Sequence, residues 1–304
     1  MTLGKILLEQ ILLMFMLMGI GVLVYRKGFI SKNGSKELGA LLLYVVTPMI
    51  TIKAYTIEAS AERSEGLLVA ALLSSIAFAI SIFVARLFFR RHRLEHFGVA
   101  FSNAGFIGIP LVSAALGQEA VFYFSSFLVL ASVLMWTYGI AILKRNAKDL
   151  HISRLLLNPI VISALIGWVI YVSGIRLPGL ALSTLNSVSA LNTPLAMFIL
   201  GVYMAQLSLR EIFRFSIVYR VMFLRLIVIP FLVLLAFIPI DAKYNFAKLT
   251  ILIGISAPSA ANTAIMAQQF HMDYNEGVKI VIVTTLFSII TLPLIILLAQ
   301  TIGM

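Results

Sequence analysis

Apolar residues run along this chain in ten stretches, at approximately 6–25, 36–56, 66–88, 97–116, 120–143, 158–175, 186–207, 217–239, 247–269 and 277–299. Each is about 18–24 residues long, which as a helix crosses a hydrocarbon core of roughly 30 Å. Polar positions are confined to short connections, the longest near 144–157, which is also basic. The pattern predicts an all-α integral membrane protein with ten transmembrane helices. Lys5 alone precedes the first apolar run, while Arg26, Lys27, Lys32 and Lys36 follow it. A signal peptide carries its charge first and a small-residue cleavage site after, so this run reads as a retained span.

The two halves of the chain repeat. Ile20-Gly21, Tyr25 and Gly28 recur as Ile166-Gly167, Tyr171 and Gly174, and Thr47-Pro48 recurs as Thr193-Pro194, all at one offset. Pro110 and Pro258 follow at almost the same offset, in spans 4 and 9. A unit of five spans is odd, so its second copy enters the membrane from the opposite side. That arrangement, an inverted repeat, is the architecture of many secondary transporters. The expected organisation is one membrane domain of two five-helix halves, 1–143 and 158–304, joined by a loop at 144–157.

Composition agrees with burial in lipid. The hydrophobic share is 61% and the charged share 12%, about half the charge of a soluble domain. The net charge of +11 would hint at nucleic acid in a soluble chain. Here the cations sit in short loops, where they set orientation instead. Loops after odd-numbered spans hold fifteen Lys and Arg, and the other side holds six, with Arg220 and Arg225 inside span 8. The first side, including loop 144–157, is therefore expected in the cytoplasm and both termini outside. The expected partner is the lipid bilayer of the cell membrane, not nucleic acid. With no cysteine in the chain, disulfides, thiol catalysis and iron–sulfur clusters are excluded. His92, His96, His151 and His271 lie in or near loops without metal-ligand spacing, so neither metal nor cofactor is expected.

Candidate chemistry lies where spans 4 and 9 are interrupted. The first interruption reads Ser102-Asn103-Ala104-Gly105-Phe106-Ile107-Gly108-Ile109-Pro110, and the second Ser256-Ala257-Pro258-Ser259-Ala260-Ala261-Asn262-Thr263. A helix-interior proline removes a hydrogen bond and clashes with the preceding turn. Freed carbonyls cannot face lipid, so such breaks lie within protein or line a cavity. Each break also exposes a half-helix N-terminus with partial positive charge. Two such ends facing one cavity favour an anion, and spans 4 and 9 run antiparallel, so their breaks can meet. Asn103, Asn262, Ser102, Ser256, Ser259 and Thr263 can hydrogen-bond a carboxylate or ligate a cation. The serines and Thr263 serve equally as helix–helix contacts. Pro48 and Pro194 read as kinks shaping a scaffold, with Thr51 beside the first as a ligand contact. Lys53 reads as snorkelling to headgroups. Arg225, inside span 8, is a candidate anion contact or a second snorkelling cation. None of the chain's carboxylates lies near the middle of a span, which argues against a carboxylate proton relay. No phosphate-binding glycine loop is present.

Asn103-Ala104-Gly105-Phe106-Ile107-Gly108-Ile109-Pro110, Ser256-Ala257-Pro258-Ser259-Ala260, Asn262-Thr263, Thr284-Thr285-Leu286-Phe287-Ser288 and Thr291-Leu292-Pro293 together resemble the auxin efflux carrier family of bacteria and plants. The resemblance covers essentially the whole chain. It implies two inverted five-helix repeats with broken helices 4 and 9 crossing at their prolines beside the substrate, and a scaffold against which the crossing domain moves. Bacterial members are described as permeases for malate or related organic acids, and plant members export auxin. The resemblance places Asn103 before the first crossover, Pro110 and Pro258 at the crossover, Thr51 at a small-hydroxyl position after the span 2 proline, and implies a homodimer. The long hydrophilic loop of many plant members is absent. The expected function is therefore secondary transport of an organic anion, with no enzymatic activity. A sodium-coupled symporter of the same fold and a non-transporting membrane receptor are the alternatives.

Overall fold

A computed structural model describes residues 3–144, 157–208, 210, 212, 214 and 217–304. Most of the expected 144–157 loop, with Arg145, Lys148 and Arg154, lies outside the described residues. Twelve principal helices follow one another: α1 (Leu3–Arg26), α2 (Lys32–Ala54), α3 (Ala61–Phe89), α4 (Arg93–Ala100), α5 (Ala104–Leu116), α6 (Gln118–Lys144), α7 (Pro159–Ser173), α8 (Gly179–Ala205), α9 (Ile217–Phe237), α10 (Asn245–Ser256), α11 (Asn262–Gln269) and α12 (Tyr274–Thr301). Among the described residues seven, α1, α2, α3, α6, α8, α9 and α12, are long and apolar enough to cross a membrane. The apolar run at 158–175 is the shorter helix α7, and the runs at 97–116 and 247–269 are each split in two, as α4–α5 and α10–α11. The helices extend past their apolar runs because capped polar turns begin them. Ser31 and Ser60 accept from the backbone N–H of Gly34 and Arg63, and Asp273 accepts from those of Asn275 and Glu276. Such side chains satisfy the first orphan donors of a helix.

Prolines are accommodated by local widening. Leu42–Val46, Ala104–Gly108 and Leu224–Val228 are π-helical turns, and each ends two residues before a proline: Pro48, Pro110 and Pro230. A proline ring collides with the carbonyl four residues earlier. In all three cases that carbonyl belongs to the widened turn, which moves it aside.

The broken helices occupy the centre. Nearly every residue of α4 and α10 is buried. Intact helices with lipid-facing apolar residues, such as Leu23, Leu68 and Leu165, surround them. This follows from the cost of an unpaired backbone group in hydrocarbon: only protein can cover a break. α1, α2, α7 and α8 pack on one another, and the remaining helices gather around α4, α5, α10 and α11. The closest approach in the first group is between α1 and α8. A Cβ on Gly201 would fall 2.2 Å from the Met18 carbonyl, and one on Gly21 would fall 2.6 Å from that of Phe198.

Candidate substrate site at the crossing of the broken helices

The two breaks meet. Residues leave the helical conformation at Phe101 (φ −115°, ψ 126°) and at Ala257 (φ −61°, ψ 151°). Ser102 and Ser259 then pair as an isolated antiparallel bridge. The Asn103 amide donates to the Pro258 carbonyl at 2.7 Å, and the Ala260 amide donates to the Phe101 carbonyl at 2.9 Å. Each break thus supplies the backbone partners the other has lost.

The position of the first break differs from the sequence expectation. It spans residues 101–103, upstream of the glycines, and Pro110 lies two residues beyond a widened turn inside α5. The crossing is made by Ser102, Asn103, Pro258 and Ser259, with Pro110 elsewhere. Gly108 serves packing: a Cβ there would come within 2.8 Å of the Phe124 ring, and one on Gly254 of α10 within 2.3 Å of the same ring. Phe124, fully buried on α6, is wedged between the two broken spans.

Arg225 is neither an anion contact nor a snorkelling side chain. It is fully buried. Its Nε donates to the Ala257 carbonyl at 3.2 Å, and Nη1 donates to the Val99 carbonyl at 3.0 Å and to Ser81 Oγ at 3.1 Å. Nη2 donates to the Ile255 carbonyl. These carbonyls are the C-terminal ends of α4 and α10, where orphan acceptors and the negative pole of the helix dipole converge. One guanidinium serves both ends at once.

The opposite poles border a cavity of about 100 Å³. Asn103 caps α5, its Oδ1 accepting from the Phe106 amide at 3.3 Å. That bond fixes the amide orientation and leaves Nδ2, buried and without a partner, at the cavity. Ala260, Ala261 and Asn262 bring the start of α11 to the same cavity. Asn158, Pro159 and Ile160 bring the start of α7, capped by Asn158 Oδ1 accepting from the Ile160 amide at 2.9 Å. Three helix N-termini therefore converge on one space. Ser102 Oγ and Thr47 Oγ1, both buried and unpartnered, line it as well. Met135, Trp136 and Tyr44 supply apolar and aromatic wall, and among the described residues no charged side chain lines it.

Other expected residues have different surroundings. Asn262 lines the cavity with its Nδ2 3.0 Å from Met135 Sδ. Ser259 donates its hydroxyl to the Gly98 carbonyl at 2.8 Å and accepts nothing from the cavity side, so it stitches the crossing. Ser256 and Thr263 have buried unpartnered hydroxyls but do not line the cavity. Thr51 donates to the Thr47 carbonyl at 2.9 Å, and it is Thr47 that faces the cavity. Asn158, Thr47, Ser132 and Trp136 were missed. Asn158-Pro159 was legible as a capping residue before an N1 proline, and Thr47 was singled out only as half of the repeated Thr47-Pro48 pair; nothing in the sequence singled out Ser132 or Trp136.

Two further cavities flank the central one. A space of about 230 Å³, lined by Lys36, Gly39, Ile265 and Tyr274, shares Leu43, Tyr44, Trp136 and Asn262 with it. A space of about 380 Å³, lined by Gln10, Lys53, Pro110, Ser113, Gln118 and Asn192, shares none of its lining. Asn192 Nδ2 donates to the Gly105 carbonyl at 3.3 Å, closing the wall on that side. Lys53 thus lines a polar cavity.

Apolar helices packed around two interrupted ones, with a largely apolar cavity edged by a few polar groups at the interruption, define a multi-pass membrane protein. The chain belongs to the membrane transport protein family, the auxin efflux carrier-like group, whose profile matches residues 6–154 and again residues 150–296. It is 24% identical over 305 residues to an uncharacterized transporter of Methanocaldococcus jannaschii, covering 94% of this chain and 97% of that one.

Proposed function

We propose that this membrane transporter carries an organic anion, a carboxylate such as malate, across the cell membrane by alternating access. The observation that carries the reading is the Asn103 side chain. Its orientation is fixed by the cap on α5, so what it offers the cavity is a donor, and a buried donor calls for an acceptor ligand. Three helix N-termini around it add positive potential without a cation. A sodium site would present oxygens at that point. In this reading Asn103, Ser102, Thr47 and Asn262 contact the carboxylate. Pro258 and Ser259 keep the crossing, and Pro110 borders the opposite cavity.

Ten spans in two inverted repeats fit this function. Gly21 of α1 packs on α8, while its counterpart Gly167 of α7 packs on the ring of Tyr55, the C-cap of α2, 2.6 Å from a built Cβ. The two contacts are the swapped pair that such a repeat generates. α1, α2, α7 and α8 form the scaffold in this proposal, and the helices around the crossing form the moving domain. The central cavity lies between them. It shares Leu43, Tyr44, Trp136 and Asn262 with the cavity near Lys36, on the side that the charge distribution assigns to the cytoplasm, which supports reading the conformation as inward-facing.

The test is a panel of mono- and dicarboxylates screened for thermal stabilisation of the purified protein, followed by radiolabelled flux in liposomes with and without a sodium gradient. Stabilisation and sodium-independent flux of a carboxylate are expected. Sodium-dependent flux would favour the symporter, binding without flux would favour a receptor, and no response to any organic anion would sink the proposal.

A further inference from the structure

A second cluster of charge lies away from the crossing, at the end of α3 and the start of α4. Arg86, Arg90, Arg91 and Arg93 line a cavity of about 320 Å³ together with His96 and Tyr138. Arg86 lies in the last turn of α3 and Arg90, four residues on, is its helical C-cap, so the two face the same way. Ion pairs among the described residues leave Arg86, Arg90 and Arg91 without a carboxylate, and the nearby Glu95 lies 4.0 Å from His92. Arg93 is anchored through Nη1, which donates to the Leu143 carbonyl at 2.6 Å at the end of α6. His96 and Tyr138 hydrogen-bond each other at 3.1 Å and floor the cavity. Like charges gathered without a counter-ion repel one another, and a gap between them is a place for an anion.

The surroundings say which anion. Just along α3 from Arg86, Phe83 is 65% exposed and Leu87 64% exposed. In a membrane protein such a face meets acyl chains. The cavity therefore sits where apolar helix surface gives way to basic side chains, at headgroup depth, and on the side the charge count assigns to the cytoplasm. We propose that Arg86, Arg90, Arg91 and Arg93 bind the phosphate of an anionic phospholipid, with its chains against Phe83 and Leu87. Guanidinium forks match phosphate oxygens bidentately, and basic pockets between helices are a known kind of headgroup site. This site is independent of the transport site, and the inference does not rest on the substrate proposed above.

The experiment is native mass spectrometry of the detergent-purified full chain titrated with phosphatidylglycerol or phosphatidylcholine. A triple variant, Arg86→Gln/Arg90→Gln/Arg91→Gln, is compared with the native chain, and Arg93 is kept because it ties α4 to α6. The native chain is expected to prefer phosphatidylglycerol, and that preference is expected to fall as salt is raised. Each arginine near an anionic surface strengthens binding about fivefold, so the triple variant should lose roughly a hundredfold. The salt series on native protein keeps the test decisive should the variant fold poorly. Inorganic phosphate, added as a competitor, separates the sources. Equal binding of the two lipids with phosphate binding at the cavity would overturn the lipid assignment in favour of a free anion. Equal binding with no effect of salt, or unchanged selectivity in a folded triple variant, would overturn the site.

Discussion

Removal of the Arg225 guanidinium tests whether one buried cation ties the two broken spans together. In Arg225→Met the carbonyls of Ile255 and Ala257 lose their side-chain donor while remaining buried, and that of Val99 keeps only the Ser81 hydroxyl at 3.2 Å. A hydrogen bond from a charged donor contributes about 1.5–3 kcal/mol, and three carbonyls and one hydroxyl accept from this group. Against that, methionine relieves the desolvation of a cation that is 0% exposed. Deleting one partner of a buried charged network nets a loss of about 3–5 kcal/mol. For a chain of this size that lowers the melting temperature by roughly 5–8 °C. Arg225→Lys keeps the charge, but a single ammonium cannot span donors to both α4 and α10, so an intermediate loss is expected. The assay is thermal melting in detergent, paired with hydrogen exchange at Asn103 and Ala260, whose amides form the crossing bonds. Both amides should exchange faster in the methionine variant. A melting point within about 2 °C of the native protein, with unchanged exchange at those amides, would refute the role given to Arg225.

Three other outcomes follow from the packing and the cavities. Gly254→Ala sets a Cβ 2.3 Å from the Phe124 ring, and overpacking of this kind costs about 1–3 kcal/mol; Phe124→Leu in the same chain should restore part of the loss, measured by melting. Because the chain has no cysteine, single cysteines report sidedness directly. Ser113→Cys should react with an impermeant maleimide from outside intact cells and Ile265→Cys only after permeabilisation, and the reverse pattern would invert the orientation. Lys53→Gln should weaken the apparent affinity for anion offered from the Lys53 side while leaving the maximal rate unchanged, a difference that shrinks in high salt; equal affinities at low salt would remove Lys53 from the entry path.

What could be read in advance was what depends on local pattern. The apolar runs located most helix ends to within about four residues, although α3 and α8 begin five and seven residues earlier, and the two interruptions, at almost the offset of Thr47-Pro48 and Thr193-Pro194, marked the spans whose breaks meet. The position of the first break was misjudged because glycine and proline mark local backbone preference, whereas the break at Phe101–Asn103 is stabilised by the second strand of the crossing. Nothing local in Phe101 or Ser102 announces a partner at Pro258 or Ala260. Arg225 was legible as an unusual residue but not in its role, since its acceptors on α4 and α10 are far away in sequence. Thr51 and Thr47 are one helical turn apart on one face beside Pro48, and only Thr47 lines the cavity; the depth of the cavity along that face depends on the partner helices and has no local sign in the sequence.

The central claim is that a carboxylate is bound by the free Asn103 donor at the crossing, and Asn103→Asp isolates it. Aspartate can still cap α5 through one oxygen, so the fold is retained, but the group facing the cavity becomes an anionic acceptor. Loss of one charge-assisted hydrogen bond alone weakens binding about tenfold to 150-fold, and the added negative charge increases the effect. The measurement is uptake of a stabilising carboxylate into liposomes holding native protein or the Asn103→Asp variant, with melting temperatures matched. The account predicts robust flux for the native protein and at least a tenfold loss for the variant; equal flux from both would contradict it.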